Sequence, residues 1–454
     1  MRSRILHTSV LFAAAFVALA LGLGYWQVLR SDDLENRGDN PRLAEAALRF
    51  DRGTILSADG VVLAETDTEQ ALRTYALPSL AQTIGYASTR FGQTGIELTY
   101  NEALSGEEDG DFVDLLESTF LPDRAEGNDI ILTIDTRIQQ AAVDALGGQR
   151  GAMVVMDVQT GAVLAIVSEP THDPNTLDDN FDQLATSDQQ PLLNRASQGL
   201  YAPGSTFKVL IASAALDAGA IEPDTEVECR GSYVVQGFPI SCTNVAEGEG
   251  RYPFSFAFER SVNAIFAQVA VEGLGWDTLN SYAEDFGFGS NLNFPIQASV
   301  SLLHLPGSEE TDVLLASTGF GQGELLVTPL QMAVLAATVA NGGVRPTAHL
   351  VGEIRHKDGE VIERLRPGSA GRVVSEDVAQ IVAEIMNEGT PGASISGKTG
   401  TAETPSGEDH SWFIGFGPTA NSRYAIAAIV ENAGFGADAA RPAALAVFAA
   451  LGIE

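Results

Sequence analysis

Residues 205–218 read as a helix that is apolar on nearly every side, through Phe207, Val209, Leu210, Ile211, Ala212, Ala214, Ala215 and Leu216. Such a helix has no face to offer water, so it must run through the interior of a domain large enough to enclose it. Pro203-Gly204 stand before it and Gly219 can end it. One residue breaks the pattern. Lys208 lies one turn in, where an unpaired charge is costly to bury. Of 26 basic residues only Lys208, Lys357 and Lys398 are lysines. Arginine is this chain's usual cation, and a retained lysine suits work that arginine cannot do, such as shedding a proton.

The length allows such an interior. With 454 residues, 45% of them hydrophobic, the chain can build one large domain and one smaller one. Arg2 and Arg4 precede an apolar run from Val10 to Val28, close to the ~20 residues a helix needs to span a bilayer. Tyr25 and Trp26 stand at its outer end, and Asp32, Asp33 and Glu35 follow. This charge order predicts an uncleaved single-pass anchor, with the N-terminus cytoplasmic and the rest of the chain extracytoplasmic. A cleaved signal peptide, ending near Ala18-Leu19-Ala20, is the alternative. An oxidising exterior allows Cys229 and Cys242 to pair; otherwise they are two buried small hydrophobes.

Residues 1–30 are therefore expected to be a cytoplasmic stub and anchor, 31–128 a small separate module, and 129–454 the main domain. The module contains Pro41, Arg52-Gly53, the strand-like Val61–Ala64 and an acidic loop from Ser105 to Asp111. From Asn128 the texture changes. A strand is expected at 129–134, then a helix capped by Asp135 and ending near Gly147-Gly148. Apolar strands at 152–156 and 162–167 read as a hairpin. The polar stretch from Ser168 to about Asn194 is too long for an idle connection. Helices are expected at about 255–271, 277–285, 328–340 and 375–388, strands at 411–416 and 424–430, and an alanine-rich helix after Pro442. The pattern predicts an α+β fold, an antiparallel sheet covered by helices.

Composition removes some functions. The formal net charge is −34, which repels phosphate backbones, so no nucleic-acid partner is expected. The six histidines are scattered and no Cys/His cluster has ligand spacing, so neither metal nor cofactor is expected.

Three short motifs carry chemistry. In Ser205-Thr206-Phe207-Lys208 the serine and lysine are one turn apart and face the same way. The serine stands at a helix N-terminus, where free N–H groups stabilise negative charge. The lysine's burial lowers its pKa and lets it accept the serine's proton. Ser261-Val262-Asn263 opens another helix; Ser261 can relay a proton, and Asn263 offers a donor and an acceptor to a peptide amide. Read alone, that motif is as well a helix N-cap followed by a surface polar residue. In Lys398-Thr399-Gly400-Thr401, an edge strand can pair with an extended peptide. Alternation puts Thr399 and Thr401 on one side, where their hydroxyls can hold a carboxylate. Gly400 removes a Cβ where another chain must approach, and Lys398 adds positive charge. The combination of S-x-x-K with K-T-G is a known signature of penicillin-binding proteins and related lactamases.

In these motifs the chain resembles the class B, monofunctional penicillin-binding proteins. The resemblance is carried by Tyr201–Lys208, Glu259–Asn263 and Gly397–Glu403, and by the intervening Gly321–Ala333, Asp173-Pro174-Asn175 and Asn194-Arg195-Ala196. Ala202 stands where the family often has proline. Asn40-Pro41-Arg42 and Arg52–Ile55 resemble the short pedestal of the actinobacterial penicillin-binding protein A group. The resemblance implies the serine penicillin-recognising transpeptidase fold on a small N-terminal pedestal. It implies a peptidoglycan D,D-transpeptidase that acylates Ser205 with Lys208 as base. The N–H groups of Ser205 and Thr401 would form the oxyanion hole. Asn263, Ser261 and Lys398 would orient substrate and relay protons, and Thr399, Gly400 and Thr401 would hold the terminal carboxylate end. Stem peptides and β-lactams are the implied ligands, and a membrane glycosyltransferase of the division or elongation machinery the implied partner.

Two other readings remain at the level of sequence. A serine β-lactamase shares two of the three motifs but is expected to add a carboxylate or modified lysine for deacylation. A non-catalytic β-lactam sensor or division scaffold would not need the complete motif set. A bifunctional enzyme is disfavoured, since residues 31–128 are too few for a glycosyltransferase domain.

Overall fold

The fold is that of a computed structural model, which describes residues 2–26, 30, 52–67, 72–88, 90–106, 127–245, 249–388, 394–404 and 407–453. The expected features at Asp32, Asp33, Glu35, Asn40-Pro41-Arg42 and residues 107–111 of the acidic loop lie outside them. Helix α1, Arg2–Gly24, carries exposed Leu11, Phe12, Phe16, Leu19 and Leu21. Among the described residues no helix is long and apolar enough to cross a membrane.

The small N-terminal part is built on strands β1 (Ile55–Leu56), β2 (Val62–Asp67) and β3 (Leu72–Tyr75). β4 (Asp129–Leu132) joins them by pairing parallel with β1. A buried charge cluster fixes this part. Glu97 is fully buried and accepts from Arg52 Nε at 2.6 Å and Arg73 Nε at 2.7 Å. Arg52 also donates to Asn101 Oδ1 at 2.8 Å, and Arg73 to the Gly53 carbonyl at 2.8 Å. Burial alone would raise the Glu97 pKa, but the two guanidiniums outweigh it and hold the carboxyl below its ordinary value.

Beyond β4, helix α2 (Thr136–Leu146) is capped by the Asp135 side chain, which accepts from the Arg137 N–H, and ends at Gly147 in the left-handed conformation. Then come β5 (Gly151–Asp157) and β6 (Val163–Glu169), the expected hairpin. The interior helix α3 is Lys208–Asp217, preceded by a 3₁₀ turn at Gly204–Phe207. Short helices α4 (Phe254–Glu259) and α5 (Asn263–Gln268) follow, then α6 (Pro329–Ala340), capped by Thr328 with Pro329 in its first turn. Strands β7 (Val351–Arg355) and β8 (Val361–Arg364) precede α7 (Glu376–Glu388). The chain closes with β9 (Ser396–Ala402), β10 (His410–Gly417), β11 (Tyr424–Val430) and α8 (Ala440–Ala450). Helix α8 starts before Pro442, not after it: first-turn N–H groups have no partner within the helix, so proline fits there.

The main sheet runs β9-β10-β11-β5-β6, antiparallel throughout. Both faces are covered, so β5, β6 and β11 are apolar at nearly every position. Met153, Val155, Ala165, Phe413 and Ile426 pack under α2 and α8 with Leu146, Val447 and Phe448. Val154, Met156, Ile414 and Ala427 face the other way, onto the core of α3, α5 and α6. The expected α+β layering is what these contacts build.

A second sheet, β8-β7-β4-β1-β2-β3, combines the N-terminal strands with β7 and β8 from far along the chain. The division expected after residue 128 falls just before β4, and this sheet spans it. The long polar stretch after β6 lies against the N-terminal part. Asn175 exchanges two hydrogen bonds of 2.9 Å with the Tyr75 backbone, and Gln82 Nε2 donates to the Pro191 carbonyl at 2.8 Å. Cys229 and Cys242 form a disulfide with Cα atoms 6.0 Å apart, which closes a loop worth about 3 kcal/mol in the chain-entropy account.

Candidate active site

The turn before α3 is shaped by contacts on three sides. Gly204 has φ +54°, and a Cβ there would lie 2.4 Å from the Thr401 carbonyl oxygen, so the position requires glycine. Its N–H donates to the Gly321 carbonyl at 2.9 Å. Trp412 Nε1 donates to the Ala202 carbonyl at 3.0 Å, and Thr206 Oγ1 to the Pro203 carbonyl at 2.7 Å. The segment Gly321–Ala333 also pairs Val327 with Tyr201 in both directions. In a 3₁₀ turn residues three apart eclipse one another. Half-buried Ser205 and fully buried Lys208 therefore present their side chains on one face. The sequence predicted this shared face, but with an α-helix running from Ser205.

Lys208 does not stay unpartnered. Its Nζ lies 2.8 Å from the Ser261 carbonyl, 2.6 Å from Asn263 Oδ1 and 3.0 Å from Ser261 Oγ. Lys398 Nζ lies 3.1 Å from the same Ser261 Oγ and 3.2 Å from the Thr399 carbonyl. Two amines thus meet at one hydroxyl. Burial drives the Lys208 pKa well below its ordinary value, and the charge of Lys398 drives it further. Burial brings Lys398 down to about 8. In its neutral form Lys208 has two N–H donors, matched by the two acceptor-only oxygens, and its lone pair is left for a hydroxyl. Ser261 reaches this place through a left-handed backbone, φ +59°, an uncommon conformation for serine that the surroundings must hold. It is not the helix cap; α5 begins after Val262.

Strand β9 is the edge of the main sheet, as expected. Thr399 and Thr401 are half-buried on one side, alternating with buried Lys398 and Gly400. The Thr401 carbonyl is directed at Gly204, and in a strand a residue's N–H shares the edge of its carbonyl. The N–H of Thr401 thus lies on the edge that meets the Ser205 turn. The Thr401 hydroxyl accepts from the Gly436 N–H at 3.3 Å. Gly400 also makes a close approach within the chain: a Cβ there would meet the Pro203 carbonyl at 2.8 Å and Thr206 Cγ2 at 2.9 Å. That near neighbour is the chain's own turn before α3.

The structure therefore gathers Lys208, Ser261, Asn263 and Lys398 in direct contact and sets Gly400 and Thr401 against the turn of Ser205, with the Thr399 carbonyl at Lys398 Nζ. Lys357 lies elsewhere, between β7 and β8. Two aromatic rings were not singled out in the sequence. Phe266 stands 5.2 Å from Lys208 Nζ and Phe258 5.8 Å from Lys398 Nζ. They exclude water from the amines, and in sequence they read only as core residues of α4 and α5.

Comparison with known proteins agrees with this geometry. Residues 151–451 match the family described as penicillin binding protein transpeptidase domain, and residues 52–130 the penicillin binding protein A dimerisation domain. Peptidoglycan D,D-transpeptidase PbpA of Mycobacterium tuberculosis is 32% identical over 471 residues, covering 95% of this chain and 94% of that one. PbpA of Mycolicibacterium smegmatis is 30% identical, covering 96% and 94%. The penicillin G acyl-enzyme complex of penicillin-binding protein A from M. tuberculosis superposes with a TM-score of 0.81 at 31% identity, over 88% of this chain and 99% of that one.

Proposed function

The chain belongs to the class B penicillin-binding protein transpeptidases, and from that premise we propose how its residues divide the work of a peptidoglycan D,D-transpeptidase. Ser205 Oγ attacks the carbonyl carbon of the D-Ala–D-Ala bond of a stem peptide, and neutral Lys208 takes the hydroxyl proton. The oxyanion that forms is met by the N–H groups of Ser205 and Thr401. When the C–N bond breaks, the leaving amine takes that proton back from Lys208, relayed through the Ser261 hydroxyl. The amine of a neighbouring stem peptide then attacks the Ser205 ester and regenerates the hydroxyl. Asn263 holds Lys208 in register, and Lys398 with the Thr399 and Thr401 hydroxyls holds the substrate's terminal carboxylate. A β-lactam enters by the same first step and leaves Ser205 acylated.

The observation that carries this division is the pair of buried amines on the Ser261 hydroxyl, beside the Ser205 turn. No carboxylate is hydrogen-bonded to Lys208, Ser261 or Lys398 among the described residues, which supports slow hydrolysis of the acyl-enzyme. Incubation with penicillin G followed by intact-mass measurement and peptide mapping tests the reading. A single long-lived adduct on Ser205, absent in Ser205→Ala, is expected; rapid turnover of the adduct would identify a lactamase instead.

The setting of the enzyme is also proposed. The exposed apolar residues of α1, with Arg2 and Arg4 before them, support a single-pass anchor that leaves the catalytic part outside the cell membrane. A separate membrane glycosyltransferase, of the division or the elongation machinery, supplies the glycan strands to be joined.

A further inference from the structure

Behind the nucleophile lies a charge cluster that the reaction scheme does not use. Glu431 directly follows β11, and its side chain is only 8% exposed. Its Oε1 accepts from Arg195 Nε at 2.8 Å and from the Tyr201 hydroxyl at 2.8 Å. Its Oε2 forms an ion pair with Arg150 Nε at 2.6 Å. Arg195 is fully buried, and its other donors go to the Gln189 and Gln190 carbonyls. Glu431 itself is fixed through its backbone, since its N–H donates to the Arg150 carbonyl at 2.7 Å.

Tyr201 connects this anchor to the chemistry. It stands four residues before Ser205 and pairs with Val327 through hydrogen bonds of 3.0 and 2.8 Å. Its ring meets His410 and Trp412 edge-on, with centroids 5.5 and 6.1 Å away. Trp412 in turn holds the next residue, Ala202, by its carbonyl. Burial and the neighbouring carboxylate keep the phenol protonated, so it remains a donor. Packing alone needs only a ring here, and phenylalanine would supply it. The hydroxyl adds a short contact to a carboxylate that is already clamped by two arginines, so it fixes the position of the segment along the sheet.

We propose that Tyr201 and Glu431 are positioning residues for acyl transfer, setting the segment that ends in Ser205 at the height where its hydroxyl and N–H oppose Thr401. This rests on the transpeptidase reading above. Acyl transfer is sensitive to such placement, because an error of about 1 Å in the reacting atoms can cost on the order of 100-fold in rate.

The test compares the full chain with Tyr201→Phe, using penicillin G over a range of concentrations to separate the non-covalent equilibrium from the first-order acylation step. Melting is measured on both proteins. The expected result is an acylation step slower by about 10- to 100-fold, with penicillin affinity and melting temperature close to wild type. Acylation at the wild-type rate would overturn the proposal. So would a loss of rate matched by equal losses in affinity and melting temperature, which would mark the hydroxyl as a stabilising contact only. If wild type itself forms no adduct, the transpeptidase reading fails and the proposal falls with it; if only the two rates coincide, the proposal fails alone.

Discussion

Two ammonium groups within about 3 Å of one hydroxyl oxygen repel each other strongly in a site that excludes water. The site resolves this by making the deeper amine the one that gives up its proton. Lys398, with a pKa lowered to about 8, keeps its charge below that pH and loses it above. If that charge holds the substrate carboxylate, the rate of penicillin acylation falls as pH rises through about 8. Lys398→Arg removes this alkaline limb, because a guanidinium does not deprotonate in this range, while lowering the overall rate through its different shape. A profile measured from pH 6 to 10 on both proteins, about two units either side of the Lys398 pKa, checks this. Folding stability follows the opposite sense. The folded state releases the Lys398 proton before the unfolded state does, so this group's penalty is full below about 8 and is relieved towards 10.5. At this scale the sequence was informative because one lysine interrupted an apolar helix. The backbone of Ser261 was not legible, since nothing in Ser261-Val262-Asn263 announces a left-handed residue.

Among the elements, the decisive contact is the one between strand β9 and the 3₁₀ turn before α3. Gly400 makes it possible, and Gly400→Ala would drive a methyl group into the Pro203 carbonyl and Thr206. The two neighbours are tied to each other, Thr206 Oγ1 donating to the Pro203 carbonyl, and they flank Ser205, so they cannot yield without moving it. The expected outcome is a lower melting temperature together with acylation slowed by at least about tenfold. The strands of the main sheet, and helices α2, α6 and α7, were legible from period and caps: Asp135 caps where it was expected to, while Thr328, expected inside its helix, is the cap of α6. The Tyr201–Glu431 contact was not, because its partners are 230 positions apart and neither carries a local signal. The expected helix at 255–271 is broken by Ser261-Val262 into α4 and α5 and passes into a π-helical turn at Val269–Leu274.

For the molecule as a whole, the small N-terminal part is joined to the catalytic part by a shared sheet and by the polar stretch after β6. That stretch reaches Asn194 and Arg195 and so runs directly to the Ser205 segment. Composition marked residues 31–128 as a separate unit, but strand partners such as β4 with β7 are distant in sequence and follow no local rule. The stability of this part depends on Glu97. Glu97→Ala leaves Arg52 and Arg73 buried without their carboxylate, at a cost of about 3–5 kcal/mol that chemical unfolding would measure. Because the Glu97 carboxyl is held below its ordinary 4.5, its contribution is full above that pH and is lost as pH falls through the folded value. Glu97→Gln should therefore flatten the acid end of the stability curve.

The account stands on an amine at position 208 that is neutral and able to take the Ser205 proton. Its most direct test is the rate of penicillin G adduct formation, followed by intact mass, in wild type and in a Lys208→Arg variant shown by its melting transition to be folded. Arginine keeps the positive charge but cannot release its proton, so the rate should fall by about 100- to 10,000-fold. Acylation of the arginine variant within tenfold of wild type would contradict it.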